Sequence, residues 1–142
     1  MAKVTLEQAN KIIEVGFDKA SDLGLNPLTI VVLDDGGHLV SAQRQDRSGI
    51  MRFDVAFGKA WGSLGMGRSS RDMEGSVTRR PHFGDALTAV SGGRFVPVAG
   101  GVLIADSDGV VAGAIGISGD TSDNDEICAI AGIESAGLTA KA

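Results

Sequence analysis

The sequence is short of several residue types, and each scarcity excludes something. A single cysteine, Cys128, leaves no internal disulfide framework. No apolar run reaches the ~18 residues of a membrane span, so no membrane partner is expected. The N-terminal MAKVTLEQAN lacks the apolar stretch of a secretory signal, which predicts a cytoplasmic protein. Tyrosine is missing, and the only histidines are His38 and His82. No H-E-x-x-H, C-x-x-C or C-x-x-C-H occurs, so zinc binding and covalent haem attachment have no motif behind them. A net charge of −5 argues against nucleic acid as a partner.

Glycine, in contrast, is abundant: 21 of 142 residues. With three prolines and no G-x-y period, these glycines mark tight turns and close backbone approaches rather than collagen or disorder. Apolar residues make up 43 % and charged residues 22 %, as in a single globular domain over residues 1–142. The charge is uneven. Arg44 to Arg94 holds nine basic residues against five acidic, whereas from Phe95 onward seven acids face Lys141 alone. The cationic middle suits a carboxylate-bearing ligand; scattered solvated arginines are the alternative.

The spacing predicts a helix over 5–24, opened by a capping box at Thr5 and Gln8 and closed by Gly24. A hairpin follows over 28–44, turning at Asp35-Gly36-Gly37. A second helix over 48–67 aligns Ile50, Phe53, Phe57, Ala60, Trp61 and Leu64 on one face. Short helices are expected from Ser69 or Ser70 and from Pro81 to Gly92-Gly93. Residues 94–118 read as three strands separated by Gly100-Gly101 and by the Asp106–Gly109 turn, and a last helix covers 124–137. The sum is α+β: about five strands in a largely antiparallel sheet flanked by helices.

Alternation along 111–118 gives one face of Val111, Gly113, Ile115 and Ile117, and another of Ala112, Ala114, Gly116 and Ser118. Something must lie close against the small-residue face: a helix, another subunit or a flat ligand. The glycine spacing does not match a dinucleotide loop, and Asp120, Ser122 and Asn124 match only half of a calcium loop. The carboxylates Asp120, Asp123, Asp125 and Glu126 are read as serving the helix start, capped by Ser122 or Asp123, and no metal is assigned. Arg44, Asp46 and Lys59 are expected to line one cleft, or else to pair with one another. Cys128, set among Ile127, Ala129 and Ile130, reads as a core thiol.

Four segments together, VVLDDGGHLVSAQRQD, GKAW, GGVLIADSDGVVAGAIGISG and DNDEICAIAGI, resemble the GlcG/HbpS-like family of small haem-binding proteins. The C-terminal domain of PduO corrinoid adenosyltransferases belongs to the same family. The resemblance spans about residues 5–137 and implies a profilin-like α/β sandwich, homo-oligomers and haem as a cofactor. The family's usual positions fall on Arg44, Asp46, Lys59, Gly116, Ser118, Gly119, Asp125 and Glu126. This chain departs twice: R-Q-D-R-S-G replaces the common R-x-D-G-A, and K-A-W-G-S replaces K-A-x-T-A.

Two functions are therefore expected. In the first, the protein binds or handles haem as an accessory to a catabolic pathway, with His82 or His38 as axial ligand and the ring near Gly116, Ser118 and Gly119. In the second, it is a cofactor-independent or metal-assisted enzyme on a small carboxylate, with Arg44 as anchor and Asp46, Lys59 or Glu126 moving protons. Self-association is expected from the small-residue strand, the glycine-bearing second helix and the aliphatic last helix.

Overall fold

The computed structural model describes residues 3–142. Helix α1 (Leu6–Leu23) carries the expected capping box at Thr5 and Gln8 and ends on a left-handed Gly24. Strands β1 (Thr29–Asp34) and β2 (Leu39–Arg44) form the hairpin. Helix α2 (Arg52–Met66) is followed by α3 (Ser70–Arg79), capped by Ser69, and α4 (Pro81–Val90). Strands β3 (Gly101–Ala105) and β4 (Val111–Ser118), helix α5 (Ser122–Ser135) and strand β5 (Thr139–Lys141) complete the chain.

The five strands form one sheet in the order β2-β1-β4-β3-β5, every neighbour antiparallel. Helices α1 and α5 cover one face, where Ile12, Ile13, Ile30, Val32, Ile115, Ile117 and Ile133 make the larger core. Helix α2 covers the other, over Val31, Leu33 and Ala114. This is the mixed α+β architecture that the pattern of elements implies.

Four local expectations are corrected. Residues 94–99 are not a strand. Val96 donates its amide to the Gly58 carbonyl (3.3 Å) and Ala99 to Glu74 (3.1 Å), so the segment runs along the helices instead of joining the sheet. The fifth strand is β5, three residues too short and too polar to show a period. Helix α5 starts two residues earlier than expected, because Thr121, not Ser122 or Asp123, accepts the Asn124 amide (3.2 Å). Finally, Ala112 is an extra residue between two register pairs, Ile104 with Gly113 and Ala105 with Val111. That bulge reverses the first two positions of the alternation. Val111 joins the α2 side and Ala112 the α1/α5 side.

The buried face of α2 also differs from the aromatic stripe. It consists of Ala56, Gly58, Lys59, Ala60, Gly62 and Ser63. A β-carbon on Gly116 would overlap the Ala56 carbonyl oxygen, so the helix backbone lies directly on the strand. Val96 packs on Gly58, where a β-carbon would stand 2.5 Å from its Cγ2, and Phe95 packs on Gly62 at 2.9 Å. The small-residue surfaces expected at a subunit interface are thus filled within one chain. Gly116→Ala should cost at least about 1–3 kcal/mol in urea unfolding, because backbone has to move. Gly75→Ala, whose β-carbon would meet only Arg79 at 3.5 Å, should gain roughly 0.5–1 kcal/mol by helix propensity.

Candidate functional site

Lys59 and Asp125 are the buried charged residues among those described. Helix α2 directs Lys59 toward the end of β4, where Nζ donates to the Ile117 carbonyl (2.8 Å) and to Asp125 Oδ2 (3.3 Å). Asp125 also accepts the Asp120 amide at 3.1 Å. The two side chains are 3 % and 2 % exposed, so no substrate face remains. Desolvation holds the Lys59 ammonium below its usual range, against the pull of Asp125. Desolvation likewise raises the Asp125 carboxyl, against the pull of Lys59. The pair links α2 to the start of α5 across the end of β4.

Lys59 therefore does not share a cleft with Arg44 and Asp46, nor does it pair with them. Arg44 and Asp46 border an open groove of about 610 Å³ with Phe17, Leu25, Pro27 and Arg47. Arg44 donates to the Ser48 carbonyl (3.0 Å). Arg47 stands where the family motif carries glycine and takes a left-handed φ of 71°, a conformation that costs a side-chain-bearing residue roughly 1–2 kcal/mol. Glu126 lies apart from this groove, bonded to Arg71 (3.0 Å), which also holds Asp123. Asp120 accepts from the Asn26 amide (3.0 Å) and Asn124 (2.8 Å). The carboxylates of residues 120–126 thus have partners of their own, Asp123 and Glu126 sharing Arg71.

Gly116 lies beneath α2, and Gly119, at φ 149°, presses against Pro27 and Leu28. A flat ring has no room on that face. Ser118 is buried and its hydroxyl accepts from Arg52 (3.1 Å). Cys128 is buried, and desolvation with the Asp125 charge pushes its thiol up to about 11, so it is no nucleophile near neutrality. Both histidines are exposed. His82 lies in the first turn of α4, and His38 closes the β1–β2 turn with Nδ1 3.3 Å from Asp34. Beside that turn, Trp61 and Leu64 line a hollow with Gly36 and Gly37, and Arg94 stacks over the Trp61 ring at 4.1 Å. On its other side, Trp61 forms an apolar cleft with Met66, Leu87, Val90 and Phe95. Spacing gave no sign of these contacts; the substitution of Trp61 into the family motif was the only sequence signal.

Removing one member of the buried pair should be far worse than removing both charges. Lys59→Met leaves a carboxylate unpaired and should cost about 3–5 kcal/mol; the double variant with Asp125→Asn should cost less than the two single losses added. Denaturant unfolding of the four proteins measures the coupling, and strict additivity would contradict the assignment.

A family model described as "Haem degrading protein HbpS-like" matches residues 4–134. An uncharacterised 15.0 kDa protein from the dhaT-dhaS intergenic region of Citrobacter freundii is 26 % identical, over 91 % of this chain and 89 % of that protein. The fold matches that of a PduOC:haem complex with a TM-score of 0.87 at 20 % identity, covering 99 % of this chain and 100 % of that one. It also matches Klebsiella pneumoniae protein ORFY, with a TM-score of 0.86 at 24 % identity, covering 96 % and 92 %. Matched over most of its length, the chain belongs to the HbpS-like family.

Proposed function

We propose that the protein binds haem at the Trp61 surface and handles it as an accessory to a catabolic pathway. The family match over residues 4–134 carries this reading, and the side chains around the β1–β2 turn and Trp61 fit the group. His38 offers Nε2 while its Nδ1 faces Asp34, the arrangement that orients a ligating imidazole. Trp61 and Leu64 supply apolar contact, Met66 a thioether on the adjoining cleft, and Arg94 a cation for a propionate. Bound haem would bring the one-electron and oxygen chemistry of its iron. The groove at Arg44 and Arg47 has no histidine, methionine or cysteine in its lining, and β2 separates it from His38 by six residues. The enzyme alternative loses support, since Lys59 and Glu126 sit away from Arg44 and Asp46.

Self-association belongs to the same reading. Helix α4 rests chiefly on α3 and leaves Val90 81 % exposed, with Ala86 and Ala89 also open. A second copy of this chain would cover that face.

Titrating haemin should produce a Soret band that His38→Ala removes and His82→Ala leaves in place. Bands unchanged in both variants would take both histidines out of the site, and no band in the wild type would reject haem binding. Sedimentation at micromolar concentration should give a species above 14.5 kDa; a monomer would reject self-association.

A further inference from the structure

At the opposite end of the hairpin from His38, register brings three side chains into one row across β2, β1 and β4. Thr29 pairs with Arg44 on one side and with Ser118 on the other. Directly opposed residues share a face, with their β-carbons about 4.5–5.5 Å apart. The face is that of α2, whose first residue, Arg52, reaches Ser118. Ser48 closes the row: its hydroxyl lies 2.8 Å from that of Thr29, and its carbonyl accepts from Arg44. Thr29, Ser48 and Ser118 are all buried. Arg44 thus sits at the Ser48 end of this row and Arg52 at its Ser118 end, with the hydroxyls of Ser48, Thr29 and Ser118 between them.

Neither guanidinium forms an ion pair among the described residues, although Asp46 and Asp54 are close in sequence. Each has one hydrogen bond to a neutral oxygen, which leaves most of its five donors free. Arg52 also repels the Lys59 ammonium, which is itself paired with Asp125. Next to Arg52 the surface turns apolar. Ile50 is 94 % exposed and Met51 69 % exposed, and with Gly49 and Val55 they border a shallow hollow of about 360 Å³. No interior contact requires Ile50 to be apolar.

From this arrangement we propose a second ligand site: Arg44 and Arg52 together bind the carboxylate of a small aliphatic acid, whose chain lies along Ile50, Met51 and Val55. Arg–carboxylate hydrogen bonds are charge-assisted and can be bidentate, which gives the anion both strength and orientation. The bound anion also relieves the repulsion between the cations. The site is separate from the Trp61 surface and independent of haem.

Hexanoate is the probe, and hexanamide its neutral counterpart. At low salt, calorimetry should show hexanoate binding to the wild type and no hexanamide binding. Arg44→Gln and Arg52→Gln should each weaken binding by about tenfold or more, while Arg52→Lys should weaken it less. The haemin Soret response should be the same in Arg52→Gln as in wild type. Wild-type binding should also weaken as ionic strength rises, a readout that needs no variant to fold. Equal binding of the amide, undiminished binding in both glutamine variants, salt-independent binding or no hexanoate binding at all would each overturn the site. A Soret response without hexanoate binding would leave the haem reading standing and remove this one; the reverse result would do the opposite.

Discussion

The contact on which the rest of the structure depends is backbone against backbone: the Ala56 carbonyl of α2 lies on Gly116 of β4. Packing this close is possible only where both surfaces lack side chains, and here Ala56 and Ala60 meet Ala114 and Gly116. Because the helix sits so low, its larger residues cannot point inward. Phe57, Trp61 and Leu64 are turned to the flanks, where they pack only partly. The same depth lets Lys59 reach the Ile117 carbonyl and Asp125, and brings Arg52 within hydrogen-bond distance of Ser118.

Electrostatics follow from that depth. A buried ammonium is tolerable only where partners offset its desolvation, and Asp125 and the Ile117 carbonyl accept from Lys59. The neighbouring acids are held in turn by other parts of the chain: Asp120 by the Asn26 amide, Asp123 and Glu126 by Arg71 of α3. What looks along the sequence like a cluster of repelling carboxylates is a set of ties to α2, α3 and the loop between α1 and β1. Exposed ionisable side chains are left at the two ends of the β1–β2 hairpin. One end holds the turn that His38 closes, where Trp61 lies over Gly37 and Arg94 stacks on Trp61; the other holds Arg44 at Ser48 and Arg52 at Ser118.

The sequence by itself determined the elements whose signals are local. The capping box at Thr5 and Gln8, the Gly24 terminus and the glycine turn of the hairpin depend on residues a few positions apart, and each forms as its spacing implies. The small-residue face of β4 was legible from Gly113 onward, where the alternation runs unbroken. Only the tertiary structure decided what covers that face, because a helix, a subunit and a flat ring make the same demand on it. The bulge at Ala112, the capture of residues 94–99 by α2 and α3, and the pairing of β5 likewise depend on partners far along the chain. So do the sites. Arg44 and Asp46 were separated from Lys59, and Thr29 was set between Arg44 and Ser118, by strand register and helix depth, neither of which one-dimensional spacing records.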